Sequence, residues 1–386
     1  MRRIASIWRY QVSRVWRSYW VAGVGLASTF AITQRYTELV IVRGIEVFSF
    51  RCYERGLWHF SEGGAILVGP NGAGKTTLLE AMAKIALLRG FGSEAEMVRW
   101  GARGYRLRGL LTEGIVEVRY EKGQGTEVFW QGEPVRPLRL WVGRLPLVVF
   151  RPGDTEWIEG PSAIRRRWAD RVLSQLFPEY LEALMQYERA LAQRNALLSA
   201  EEPPSLEQVQ LWERPLTEAG LLIQNKRLWL VQALKPLLQA THAIEGLPAE
   251  LDYRYKLSTG AASPEAWQAK WASLRKEEIR RGRTLIGPHT EDFEILFEGR
   301  PARGHTSEGQ KKWLLIALRW AEVRLFRHFS GRQPLLLLDD LGEKLDALHL
   351  SALSRIGTEA AQIFITDVEE ARAHKLFPHL PIIRIG

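Results

Sequence analysis

The sequence predicts an α/β fold built on a parallel core sheet, and three observations carry that expectation. A short apolar run, Ala65-Ile66-Leu67-Val68, stops at a glycine-rich turn that leads directly into residues rich in Leu, Ala, Met and Lys. A second apolar run, Leu335 to Leu338, ends in two aspartates. Around these runs strand and helix patterns alternate, as parallel strands joined by helices require.

The 386 residues are 46% apolar and 25% charged, which is the balance of a folded globular chain and excludes a disordered or fibrous one. With one cysteine, Cys52, there is neither an internal disulfide nor a four-ligand cysteine zinc site, and a reducing compartment is the expected setting. Six arginines and no acid lie in residues 1–37, so only three of the nine net positive charges belong to residues 38–386. Basicity of the body therefore has to be judged from local clusters.

Within residues 1–37 the mildly apolar run Val21 to Ile32 is too short to span a bilayer and holds two glycines, a serine and a threonine. A poorly ordered extension or an upstream translation start is expected here, ahead of an amphipathic surface element or a signal peptide. No membrane association and a cytoplasmic location follow as expectations.

Strand character runs from Glu38 to Val47 and through Ala65 to Val68; a helix is expected from Leu78 to Leu88. Residues 105–150 alternate in short segments, Ile115 to Tyr120, Val128 to Trp130 and Leu147 to Phe150, and read as a β-rich lobe. Beyond Pro161 the spacing turns helical, through Leu181, Leu184, Tyr187 and Leu191, then Val209, Trp212, Leu216, Ala219, Ile223 and Leu230. Two helices broken at Pro203-Pro204 would form a short antiparallel arm, with Pro215 interrupting any long coiled coil. Strand and helix then alternate again through Leu251 to Lys256, Glu294 to Phe297, Trp313 to Phe326, Leu335 to Leu338 and Ile363 to Thr366. The plan is an extension at 1–37, a head formed by 38–160 with 247–386, and an arm at 161–246.

Gly69-Pro70-Asn71-Gly72-Ala73-Gly74-Lys75-Thr76 matches the P-loop pattern between an expected strand and an expected helix. Glycines let successive N–H groups face phosphates, and the helix start adds its positive end. Lys75 is expected to reach the β and γ phosphates of ATP, and Thr76 to offer its hydroxyl to Mg²⁺. Arg51 and Thr77 are assigned to the same nucleotide site. At the end of the second apolar run Asp339 is expected to hold Mg²⁺, and Asp340 to orient or deprotonate an attacking water.

Thr306-Ser307-Glu308-Gly309-Gln310 precedes a long helical stretch, and its serine hydroxyl and free N–H groups suit an anion. Ser307, Gly309 and Gln310 are therefore candidate phosphate ligands. Arg165-Arg166-Arg167 with Arg171, and Arg99, Arg103, Arg106 and Arg108, are local basic clusters fitted to a phosphate backbone.

The order P-loop, helical insertion, Ser-x-Gly-Gln helix and acid-ended strand resembles the ABC-type ATPase head. Within that class the chain is similar to the RecF family of bacterial DNA replication and repair proteins. The motifs that carry this are Phe50-Arg51-Cys52-Tyr53, Phe150-Arg151-Pro152-Gly153-Asp154, Glu159-Gly160-Pro161-Ser162, Tyr187-Glu188-Arg189-Ala190-Leu191, Gln193-Arg194-Asn195-Ala196-Leu197-Leu198 and Gly282-Arg283-Thr284-Leu285-Ile286-Gly287-Pro288-His289. Together they span most of residues 39–367. Departures are Ser307-Glu308-Gly309-Gln310 with Lys311-Lys312 for the usual Ser-Gln-Gly-Gln and arginine, Glu343-Lys344 for Ser-Glu, and Gly153-Asp154 for Glu-Asp.

The resemblance implies a head-to-tail homodimer in which ATP held by Lys75 of one copy meets Ser307 and Gly309 of the other, with hydrolysis releasing it. It implies ATP-dependent binding of double-stranded DNA near single-strand gaps, and work with RecR and RecO to load the RecA recombinase. Asp340 is a methylene shorter than the glutamate of ABC transporters, so slow, DNA-stimulated hydrolysis is expected. An SMC-like structural head and a non-hydrolysing ATP-dependent scaffold are the alternatives. A transporter subunit would lack the arm and would carry a histidine where this chain has Thr366-Asp367.

Overall fold

Alternation writes the first sheet. In the computed structural model, which describes residues 39–151, 153–202, 204–243, 251–340 and 345–386, β1 (Val42–Phe50) and β2 (Tyr53–His59) form a hairpin. The chain then leaves this sheet for β3 (Gly64–Val68), α1 (Lys75–Leu87) and the short α2 (Glu94–Met97). It returns through β4 (Gly104–Leu111), β5 (Gly114–Glu121), β6 (Gly125–Trp130) and β7 (Glu133–Pro134). The six strands are antiparallel, in the order β2-β1-β4-β5-β6-β7. Along β4 every second residue is buried, so Tyr105, Leu107 and Leu111 face α1 and the core while Arg106 and Arg108 face outward.

β8 (Leu147–Phe150) opens the second half and is buried throughout. After α3 (Glu156–Glu159) come α4 (Ser162–Leu176), α5 (Pro178–Leu198), α6 (Leu206–Gln210) and α7 (Glu213–Gln239). Residues 162–239 thus hold three long helices, not two. Pro215 does not interrupt α7: it lies in its first turn, where a missing N–H leaves no bond unmade. α7 packs along α5 and also against β9 (Leu251–Lys256).

α8 (Pro264–Arg281) follows, then β10 (Asp292–Phe297) and β11 (Arg300–Pro301), which with β9 make a three-stranded antiparallel sheet. α9 (Glu308–Phe329) crosses to β12 (Leu335–Leu338), α10 (Ala347–Gly357), β13 (Gln362–Asp367), α11 (Glu370–Leu376) and β14 (Ile382–Arg384).

The core sheet is parallel, in the order β14-β3-β13-β12-β8. β3, β8, β12 and β13 are buried along their whole length, which is why they read as continuous apolar runs instead of alternating ones. This order sets the C-terminal ends of β3, β13, β12 and β8 side by side, where ligands of α/β sheets bind. Residues 1–38, including the whole expected extension, lie outside the described residues.

Candidate functional site

The turn after β3 is shaped by backbone needs. A Cβ at Gly69 would stand 2.0 Å from the Ile385 carbonyl oxygen, so the strand exit has no room for a side chain. Gly74 has φ of 100° and a Cβ there would meet the Tyr53 hydroxyl at 2.4 Å; only glycine takes that conformation without strain. Gly74 is also the N-cap of α1, and no side chain caps the helix. Its first N–H groups are left to a ligand.

Lys75, the first residue of α1, is 9% exposed. Its Nζ donates to the carbonyl oxygens of Gly69 and Pro70 at 2.7 and 2.8 Å, so the ammonium is held across the turn. Thr76 Oγ1 donates to Asp339 Oδ1 at 2.8 Å. Thr366 Oγ1, at the end of β13, donates to the same oxygen at 2.8 Å and accepts from the Asp340 N–H at 2.8 Å. Asp339 is 6% exposed, and its Oδ2 lies 3.5 Å from Nε of Arg151.

Arg151 follows β8, whose Phe150 pairs with Leu338 in register, and its guanidinium lies 3.5 Å over the Phe91 ring. Neither Thr366 nor Arg151 was expected at the site from sequence. Arg151 stands in the Phe150-Arg151-Pro152-Gly153-Asp154 motif and Thr366 ends an expected strand, but only the sheet order brings the two beside Asp339.

A cavity of about 580 Å³ opens over the turn. Asn71, Gly72, Gly74, Lys75, Thr76 and Thr77 form one side of it, Asp340 and Thr366 another. Asp340 is exposed, with φ of 52°, a left-handed conformation that aspartate tolerates better than most residues. Arg51 also lines the cavity and is clamped by Glu80 through two bonds of 2.6 and 2.8 Å. That carboxylate's hydrogen bond outweighs the effect of burial and holds the guanidinium above its ordinary pKa. Cys52 lines the cavity too, with Sγ 3.8 Å from the Thr77 hydroxyl.

Ser307, Gly309 and Gln310 do not line this cavity. Ser307 caps α9 in a reciprocal box: its Oγ accepts from the Gln310 N–H at 3.3 Å, and its own N–H donates to Gln310 Oε1 at 2.8 Å. Residues 307–309 are exposed, and a side chain at Gly309 would meet open space. The start of α1 thus lies over the cavity, and the Ser307 start of α9 lies on open surface.

The arginine cluster of α4 needs correction as a candidate DNA contact. Arg165 is 4% exposed; it forks onto Asp292 at 2.8 and 2.9 Å and donates to the carbonyls of Trp157, Ile158 and Gly160. Arg166 bonds the Ser162 hydroxyl and the Glu291 carbonyl, both at 2.6 Å. Arg171 pairs with buried Glu322. Only Arg167 of the four is exposed. On the β lobe Arg108 pairs with Glu46 and Glu117 and Arg106 lies over Phe48, while Arg103 is exposed. Glu343 and Lys344, where the sequence departs from the family pattern, lie outside the described residues; the following Asp346 caps α10 through the N–H groups of Leu348 and His349.

Thr76 and Asp339 offer hard oxygen donors, and no group of three or more His, Cys, Asp or Glu gathers among the described residues. That set fits Mg²⁺, which takes one or two protein oxygens and fills the rest of its shell with phosphate and water. Nor is any described helix long and apolar enough to cross a membrane.

A P-loop ending β3, paired acids ending β12 two strands away, an antiparallel lobe against α1 and a capped Ser-x-Gly-Gln helix define an ABC-type P-loop ATPase head. No family model matches the chain. It is 34% identical over 332 residues to the DNA replication and repair protein RecF of Moorella thermoacetica, covering 84% of this chain and 89% of that one. It is 34% identical over 345 residues to RecF of Synechococcus sp. (strain JA-3-3Ab), covering 84% and 90%. A solved structure described as the recombination mediator protein RecF-ATPrS in the RecFOR pathway superposes with a TM-score of 0.79 at 26% identity, covering 86% of this chain and 94% of that one. Its RecF-ATP counterpart gives 0.79 at 25%. The chain belongs to the RecF family of DNA replication and repair proteins.

Proposed function

We propose that the chain binds ATP with Mg²⁺ in the cavity over the Gly69–Thr76 turn and that the bound nucleotide joins two copies head to tail on duplex DNA. The supporting observation is a division within one chain. Lys75, Thr76 and Asp340 line the cavity, whereas Ser307 and Gly309 stand exposed outside it. A second copy can supply the Ser307 end to the nucleotide held by the first.

In this reading the glycine turn and the start of α1 bind the phosphates, Lys75 neutralises the β and γ oxygens, and Arg51 and Thr77 border them. Thr76 and Asp339 would hold Mg²⁺, which when bound neutralises phosphate charge. Asp340 orients the attacking water, and its short side chain keeps turnover slow. Bound more tightly by the dimer than by the monomer, the nucleotide stabilises the assembly by mass action. The roles on DNA follow from family membership: recognition of duplex near single-strand gaps by backbone contact, stimulation of hydrolysis by DNA, and cooperation with RecR and RecO in recombinase loading. Residues 161–246 are proposed to act as an arm unit on the head formed by 38–160 and 247–386.

The test is light scattering of the purified chain with ATP, ADP or no nucleotide, with duplex binding measured in parallel. Dimers and tight duplex binding with ATP alone are expected. A monomer under all three conditions would end the sandwich reading.

A further inference from the structure

Trp100 stands at the edge of the nucleotide cavity and is 96% exposed. Large aromatic rings are normally buried or anchored. Among the described residues the Trp100 ring makes no ring contact, hydrogen bond or cation contact, yet its backbone is firmly placed. It occupies the second position of a turn closed by the Ala102 N–H on the Arg99 carbonyl at 3.0 Å, with Gly101 at φ of 83° behind it. The turn is tied to the end of β1 by three bonds: Arg99 N–H to the Ser49 carbonyl at 2.9 Å, Arg51 N–H to the Met97 carbonyl at 2.8 Å, and Arg99 Nη1 to the Cys52 carbonyl at 2.7 Å. A rigid turn thus presents an unused indole to the cavity that Lys75 and Thr76 line.

The cavity divides by chemistry. Its phosphate side is built of glycines, Lys75 and hydroxyls, and its outer side adds Ala95, Val98 and Trp100 with one carboxylate, Glu96, that accepts from the Ser93 N–H. A nucleoside triphosphate has the same division, with charge at one end and a flat apolar face at the other. No other aromatic ring lines the cavity among the described residues.

We infer that Trp100 is the stacking platform for the nucleobase and sets the preference of the site for a nucleoside triphosphate over bare polyphosphate. This rests on the proposed nucleotide site and deepens it. Stacking uses the face of the base and not its hydrogen-bonding edge, so adenine and guanine nucleotides are both held.

Calorimetry with ATP, GTP and inorganic tripolyphosphate on wild type, Trp100→Ala and Trp100→Phe tests it. Trp100→Ala is expected to weaken ATP and GTP by about 10- to 100-fold and leave tripolyphosphate unchanged, with Trp100→Phe staying within about threefold of wild type. Unchanged ATP affinity in Trp100→Ala overturns the platform, and duplex affinity lost at the same time would mark the ring as a nucleic-acid contact instead. An equal loss for ATP and tripolyphosphate also overturns it, since the ring would then only be shaping the turn. A wild-type chain that binds none of the three overturns the nucleotide site itself, a failure distinct from an unaltered ATP-to-tripolyphosphate ratio.

Discussion

The Thr76 hydroxyl donates to Asp339 Oδ1 at 2.8 Å, joining residues 263 positions apart. Between them in the sheet lies β13, whose Thr366 bonds the same oxygen. Two strand ends and a helix start converge on one carboxylate because β3, β13 and β12 run parallel and end on one edge.

Lys75→Met and Asp339→Ala are each expected to abolish ATP-dependent dimerisation in light scattering. Ser307→Ala should separate the two halves of the proposed site: monomer affinity for ATP stays within about threefold, since Ser307 does not line the cavity, while dimers are lost. Its cap on α9 makes a stability loss of about 1 kcal/mol the accompanying effect. Dimers that persist in all three variants would contradict the sandwich.

Thr366→Val keeps the side-chain shape and removes the hydroxyl that links Asp339 to the Asp340 backbone. Nucleotide affinity in Mg²⁺ should fall about fivefold, corresponding to roughly 1 kcal/mol for one hydrogen bond, with affinity in EDTA unchanged. Calorimetry under the two conditions checks this, and equal losses in both would show that Thr366 acts on the turn and not on Asp339.

Arg165 and Arg167 should behave oppositely. Arg165→Ala strips Asp292 and three carbonyls of a buried donor, so a loss of about 3 kcal/mol in urea unfolding is expected. Arg167→Glu should change stability by no more than about 0.5 kcal/mol. It should weaken duplex binding and lower the slope of log affinity against log salt by about one. An Arg165→Ala protein as stable as wild type would refute the structural role.

His289 gives a pH dependence. Burial pushes its pKa down to about 4, opposed by the bond from Nε2 to the Thr284 carbonyl and aided by the nearby Arg166, Arg227 and Arg194. Nδ1 sits 2.7 Å from the Tyr187 hydroxyl. The unfolded chain binds a proton near pH 6.5 that the folded chain refuses, so stability rises with pH between about 4 and 6.5. The integrated contribution is about 3 kcal/mol. Unfolding of wild type and His289→Gln at pH 4.5 and 7 measures it: the variant should lose less stability on acidification, and identical losses would remove His289 as the source.

Much of the architecture was legible in order along the chain. β8, β9 and β12 have the bounds expected from their apolar runs and alternation, and the P-loop lies between β3 and α1 as its glycines require. These features are legible because they rest on contacts within a few residues: run length, periodicity and the backbone freedom of glycine. The hairpin strand β2 and helix α8 were missed. β2 has no buried residue, and α8 buries only Trp267, Trp271 and Glu278, so neither carries a strong apolar period.

By itself the sequence determined the apolar strands of the core sheet, the phosphate-binding turn, the acid-ended strand and the resemblance to the family. Tertiary structure alone decided that Thr366 and Arg151 flank Asp339, that Arg165 is buried structure instead of DNA-facing charge, and that Trp100 edges the cavity. The reason is reach: Arg165 meets Asp292 across 127 positions, and no local pattern states which strand ends a sheet will set side by side. Whether a charge faces water or a carboxylate depends on what packs over it, and packing is settled only when the distant parts of the chain meet.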